Sequence, residues 1–164
     1  MSRAVVCVVV LLACSVPSAA AALPRAGTLV PGRSLGGIRL GESAAQVRAA
    51  LGGKYGVCRG CALTTWYFTY REFDDRGLGV ELTAGRVSAV YTLWQPPGWH
   101  APRGLQLGAV TAQVTALAGI LVPLPCTDYA AYVHDGGGVR TVYYVMNDKL
   151  WGFGLMRSNE SPCR

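Results

Sequence analysis

Histidine and lysine are scarce: His100 and His134 are the only histidines in 164 residues, and lysine occurs only at Lys54 and Lys149. Neither histidine has a nucleophile at a recognisable spacing, so acid–base and acyl-transfer chemistry has little to build on. His134 stands beside Asp135, but the pattern around it reads as an exposed loop. Charged residues make up 15% of the chain, and the net charge of +6 carries no basic run and no reader motif. That argues against a nucleic-acid partner. The apolar stretch Ala4 to Ala13 is too short to span a bilayer, and no later stretch is long and apolar enough. Asp74 and Asp75 lack the regular oxygen ligands of a calcium loop. Gly136, Gly137 and Gly138 lack the lysine and helix of a phosphate loop. No catalytic set, metal site or cofactor is assigned.

What is present begins with an export signal over residues 1–22. Arg3 supplies the positive start, Ala4 to Ala13 the apolar part and Ser18 to Ala22 a small-residue cleavage region, with the cut after Ala20 or Ala22. Leu11, Leu12, Ala13 and Cys14 also fit a bacterial lipobox, which would make Cys14 a lipidation site and give the chain its one route to a membrane. The expected location is therefore secreted or cell envelope. Thirteen arginines and abundant alanine and glycine suggest a GC-rich, bacterial genome.

Beyond the signal remain Cys58, Cys61, Cys126 and Cys163, an even number in an exported chain and the usual sign of disulfides. Three pairings are possible. Because the chain divides into two units, Cys58 is expected to join Cys61, and Cys126 to join Cys163. The Cys58 to Cys61 spacing also matches thiol oxidoreductases, but there the pair opens a helix, whereas here it follows a helix and precedes a strand.

The two units are visible as a repeated phrase. GIRLGESAAQVRAALG at Gly37 to Gly52 returns as GLQLGAVTAQVTALAG at Gly104 to Gly119, an offset of 67. Identical pairs include Leu40/Leu107, Gly41/Gly108, Gln46/Gln113 and Val47/Val114. In the first copy Ser43 and Gln46 form a capping box, and Val47, Ala50 and Leu51 make an apolar stripe. In the second, Val110 replaces the capping serine, Thr111 is the substitute cap, and Val114, Leu117 and Ala118 form the stripe. The expected organisation is a lead-in over 23–36, one module over 37–94, a proline-rich linker over 95–103 and a second module over 104–164. The lead-in, with Pro24, Pro31 and several glycines, reads as a flexible segment or as one edge strand around Thr28 to Val30.

Strand patterns follow each helix: Thr64 to Arg71, Leu78 to Thr83 and Arg86 to Trp94, then Asp128 to His134, Val139 to Met146 and Lys149 to Met156, with turns at Ala84–Gly85 and Asn147–Asp148. The fold class is α+β: two modules, each a short helix on an antiparallel meander, whose sheets could join into one concave surface. Alternation places Val80, Leu82, Val87, Ala89 and Tyr91 under the helix, and Glu81, Thr83, Ser88, Val90, Thr92 and Trp94 on the open face. At an offset of 63 the open face of the second module holds Tyr144, Met146, Trp151, Phe153 and Leu155. Tyr67 belongs to the same face, with Trp66, Phe68 and Tyr70 in the core. The candidate partner-binding residues are Tyr67, Trp94, Tyr144, Met146, Trp151 and Phe153, since aromatics carry much of the energy at protein interfaces; the alternative is that they are core, covered by the lead-in, by the other repeat or by a same-chain partner.

The phrase Leu40 to Val47 with Leu51 and Gly52, followed by cysteines and an aromatic sheet, resembles the modules of β-lactamase inhibitory protein and of the BamE (SmpA/OmlA) outer-membrane lipoproteins. Tandem duplication is similar to the inhibitor in particular. The resemblance implies helices on one face of an antiparallel sheet and an aromatic face gripping a protein, such as a hydrolase, and one disulfide per module. No inhibitory residue carries over by motif. The leading expectation is an exported, non-enzymatic protein-binding module whose partner the residues do not name. The alternatives are a structural envelope lipoprotein of BamE type and a thiol oxidoreductase using Cys58 and Cys61.

Overall fold

The computed structural model describes residues 27–70 and 75–164; the signal, Cys14 and Asp74 lie outside the described residues. In chain order the elements are β1 (Leu29–Val30), β2 (Ser34–Leu35), α1 (Ala44–Leu51), β3 (Gly56–Val57), β4 (Thr64–Thr69), β5 (Gly77–Thr83), β6 (Arg86–Leu93), α2 (Thr111–Ala118), β7 (Val122–Pro125), β8 (Ala130–Gly136), β9 (Val139–Met146) and β10 (Lys149–Arg157). A 3-10 turn, Pro102–Gly104, precedes α2. The fold is α+β.

Strands β3 to β10 form one eight-stranded antiparallel sheet in the order β3-β4-β5-β6-β10-β9-β8-β7. Each half is a meander, and the halves meet edge to edge where β6 pairs with β10 through Gly154↔Tyr91, Leu155↔Val90 and Met156↔Ala89. Past the Gly154–Tyr91 rung, the Phe153 N–H donates to Thr92 Oγ1 at 2.9 Å. The strand order is thus symmetric about its centre. The edge strands β3 and β7 were not expected from the sequence. β3 is only two residues long, and β7 carries Pro123 and Pro125, which a strand tolerates only at a sheet edge.

The repeated phrase docks each helix onto its own meander. Ser43 Oγ accepts the Gln46 N–H and Gln46 Oε1 accepts the Ser43 N–H, completing the capping box of α1. At α2 only half of that arrangement remains: Gln113 Oε1 accepts the Val110 N–H at 3.2 Å. Val110 occupies the cap position and Thr111 is already helical, which corrects the expectation that Thr111 caps. Upstream, Gly41 N–H donates to the Val87 carbonyl and Gly108 N–H to that of Leu150, equivalent bonds in the two modules. Both glycines have positive φ, 83° and 89°, with open space around a would-be Cβ. The phrase keeps glycine there for backbone conformation.

Val47 and Leu51 of α1 and Val114 of α2 are buried, whereas Ala50 is exposed and does not belong to the stripe. The helix-side core also includes Leu29 and Leu35 of the lead-in, with Ile38 at the start of the first module, so the lead-in is a packed layer. Trp99 of the proline-rich joint is 2% exposed, lies against Gly27 and Gly36, and donates its indole N–H to Tyr70 Oη at 2.6 Å. The joint is thus anchored in the core by an aromatic side chain.

The sheet's two faces differ from the simple alternation in one respect. A bulge interrupts the β5–β6 register, Glu81 facing Ala89 and Leu82 facing Val87, so Ser88 is the extra residue. A matching bulge interrupts β9–β10, with Trp151 extra between Leu150 and Gly152. One inserted residue reverses the alternation of everything beyond it. Val90, Phe153 and Leu155 therefore join the helix-side core, and Ala89 and Tyr91 move to the open face. Among the proposed partner-binding residues this removes Phe153, which is wholly buried on the helix side.

Candidate interaction surface

The open face is centred on Ala89, Tyr91, Ala131, Val133, Val142, Tyr144 and Met156, with Leu93, Leu124, Tyr129 and Trp151 packed around them. Three glycines make room for aromatic rings to lie on the sheet. A Cβ on Gly79 would stand 2.6 Å from the Tyr91 ring, and one on Gly154 would stand 2.8 Å from Tyr144 Oη. A Cβ on Gly152 would come within 3.2 Å of the Tyr144 ring. Tyr144 is consequently on the predicted face but only 2% exposed.

Tyr129 meets Tyr144 and Trp151 edge-on, each with ring centroids 5.7 Å apart, and Tyr144 and Trp151 are also 5.7 Å apart. Trp94 lies at 6.1 Å from Trp151 and is 58% exposed. Its backbone is unusual, since Trp94 and Gln95 both adopt positive φ, 44° and 48°, a conformation bulky residues occupy at a cost. Met146 follows Tyr144 by two residues on β9 and is half-buried on the same face. Tyr67 is half-buried on β4, its hydroxyl 3.9 Å from Cys61 Sγ.

A charged pair occupies the middle of this aromatic ground. Glu81 is 6% exposed, and Arg164 Nε lies 3.0 Å from its Oε1. Burial raises the Glu81 carboxyl above its ordinary range, against the opposing pull of Arg164 and of a hydrogen bond from Tyr91. The same burial pushes the Tyr91 and Tyr144 phenols up, with Glu81 adding to both shifts. All three groups share one desolvated patch. Four buried polar atoms here, Glu81 Oε2, Thr83 Oγ1, Tyr144 Oη and Trp151 Nε1, have no hydrogen-bond partner. Glu81 and Arg164 were not among the expected site residues. The bulge hides the face that Tyr91 shares with Glu81, and nothing local in the sequence ties Arg164 to a residue 83 positions away.

Arg164 reaches the face because the segment before it is tied down. Cys126 is bonded to Cys163, and Cys58 to Cys61, the pairing expected from the two units. Tyr129 Oη accepts the Arg164 N–H and donates to the Arg164 carbonyl. The Cys58–Cys61 bridge lies between β3 and β4, so no helix terminus is available there to stabilise a thiolate. Asp135 lies in β8 opposite Arg140 of β9 and forms a two-pronged ion pair with it at 2.9 and 3.0 Å, which lowers its carboxyl below the ordinary range. His134 instead places Nδ1 3.3 Å from the Ile120 carbonyl. Asp135 is thus engaged by an arginine and not by its neighbouring histidine. No cluster of three or more His, Cys, Asp or Glu positioned to hold a metal occurs among the described residues, and no helix there is long and apolar enough to cross a membrane.

No family model matches the chain, and no curated protein matches it. Similarity is found in solved structures. A DUF4309 family protein, YjgB, from Bacillus subtilis subsp. subtilis str. 168 is 18% identical with a TM-score of 0.50, over 71% of this chain and 79% of that one. An extracellular protein containing a SCP domain from Bacillus anthracis str. Ames is 10% identical with a TM-score of 0.49, over 73% of this chain and 44% of that one. At such identity the first likeness speaks to the fold alone.

Proposed function

We propose that the chain is an exported, non-enzymatic protein-binding module of the extracellular space or cell envelope, and that the open sheet face is its contact surface. The observation that carries this is Trp94. A large indole, more than half exposed, is held on a left-handed backbone beside Trp151, at the rim of an aromatic patch that includes an unpaired buried indole N–H. Exposed tryptophans beside buried aromatics are the usual anchors of protein interfaces. Two disulfides suit an oxidising compartment. The resemblance of the repeated phrase to β-lactamase inhibitory protein modules supports a protein ligand without naming one. A freely exported form is favoured over a Cys14-anchored, BamE-type lipoprotein, since the small residues Ser18 to Ala22 provide a cleavage region beyond Cys14.

Trp94→Ala tests the surface. Its side chain is mostly in water, so thermal stability should fall by no more than about 1 kcal/mol. Affinity capture from secreted and membrane fractions of the native organism should recover a partner with the wild-type chain and lose it with Trp94→Ala. Equal recovery by both would remove Trp94 from the interface and this surface with it.

A further inference from the structure

We propose that the pocket around Glu81 is an arginine-recognition site, filled in the free protein by the chain's own Arg164 and opened to an arginine of the protein partner when that side chain is displaced. This rests on the interaction-surface reading above and names the group the partner brings.

The fold does not need a charge at this position. Under the offset of 63 that superposes the two bulges, the counterpart of Glu81 is Tyr144, an uncharged residue on an equally buried site. Burying a carboxylate is costly, and the raised Glu81 pKa shows that cost is only partly offset. Such a group, kept on the open face of a sheet, is suited to recognising a cation.

The surroundings specify which cation. Met156 and the Tyr91 ring flank the site, the ring centroid 5.9 Å from Arg164 Cζ. A flat, weakly hydrated guanidinium gains from such a ring face and can bond a carboxylate with two parallel N–H groups. Arg164 makes only part of this set. Its Nε reaches Oε1, while Nη1 donates to the Ser161 carbonyl and Nη2 lies 3.8 Å from the Met156 thioether. Glu81 Oε2 is left buried and unpartnered, with Tyr144 Oη also unpartnered on the same face. An arginine entering from outside can supply the second bond that Arg164 does not. Arg164 can yield its place by rotation of its own side chain: that side chain is sheltered, at 18% exposed, but residues 163 and 164 as a whole lie at the exposed surface.

The test uses the full disulfide-bonded chain and the peptide acetyl-Gly-Arg-Gly-amide, with its citrulline analogue as the uncharged isostere. Binding is followed by titration of the Tyr91 and Tyr144 ring signals in NMR spectra. Arg164→Ala should bind the arginine peptide at least about tenfold more tightly than wild type, because the competing side chain is gone. The citrulline peptide should not bind, and adding Glu81→Gln, which preserves shape, should abolish arginine binding. Arg164→Gln provides a second vacated pocket with little change in the segment. Absence of saturable binding to folded Arg164→Ala and Arg164→Gln overturns the proposal, as does equal binding of citrulline or binding that survives Glu81→Gln. Trp94→Ala separates the two readings: loss of arginine-peptide binding with Trp94-dependent capture intact sinks only the pocket. Capture indifferent to Trp94 sinks the wider surface even where the peptide binds.

Discussion

Glu81 and the glycines beside it show how single positions shape the open face. Desolvation holds the folded Glu81 carboxyl above its ordinary value of 4.5, so the stability linked to its protonation is complete below that value and is lost as pH rises through the raised one. Glu81→Gln should therefore gain stability relative to wild type between about pH 4 and about pH 7.5. Urea unfolding at the two pH values measures this, and a constant difference would contradict the perturbed carboxyl. The glycines act sterically. At Gly79, an alanine Cβ 2.6 Å from the Tyr91 ring forces the ring off the sheet, and Gly79→Ala should cost about 1–3 kcal/mol. Gly56→Ala, whose nearest neighbour is 3.9 Å away, should change stability by less than about 0.5 kcal/mol in the same assay.

At the level of elements, the two repeats solve one problem with different residues. The equivalent β5–β6 and β9–β10 turns are left-handed at their two central positions, Ala84–Gly85 with φ of 51° and 73°, and Asn147–Asp148 with φ of 50° and 58°. Asparagine tolerates this conformation and alanine does not, so the second repeat suggests a remedy for the first. Ala84→Asn should raise stability by about 0.5–1 kcal/mol, read as a higher denaturation midpoint without a change in slope. The helices, the turns and six of the strands of the large sheet were legible because caps, glycine stops and β-branched runs act locally. The edge strands were not legible: β7 contains prolines that count against a strand, and it exists only because β8 offers a partner on one side.

For the molecule as a whole, the β6–β10 seam and the Cys126–Cys163 bridge set what the face presents. The bridge closes a loop with a sequence separation of 37 and holds Arg164 over Glu81, whereas Cys58–Cys61 spans a separation of 3. Replacing Cys126 and Cys163 by serine should cost about 2–4 kcal/mol, and replacing Cys58 and Cys61 clearly less, because loop-closure entropy grows with the loop. Calorimetric unfolding of both double variants ranks them, and a reversed ranking would show that the short bridge has a stronger structural role than its loop length implies. The sequence alone determined the duplication, the capping box at Ser43, the turns and the partition of cysteines between modules, since each depends on neighbours or on comparison of the two copies. Tertiary structure decided which side chains reach the open face. A one-residue bulge at Ser88 and at Trp151 turns Phe153 into the core and brings Tyr91 out beside Glu81. Only the folded chain carries Arg164 across to that carboxylate, because burial and charge pairing are properties of the assembled sheet and not of any local stretch of sequence.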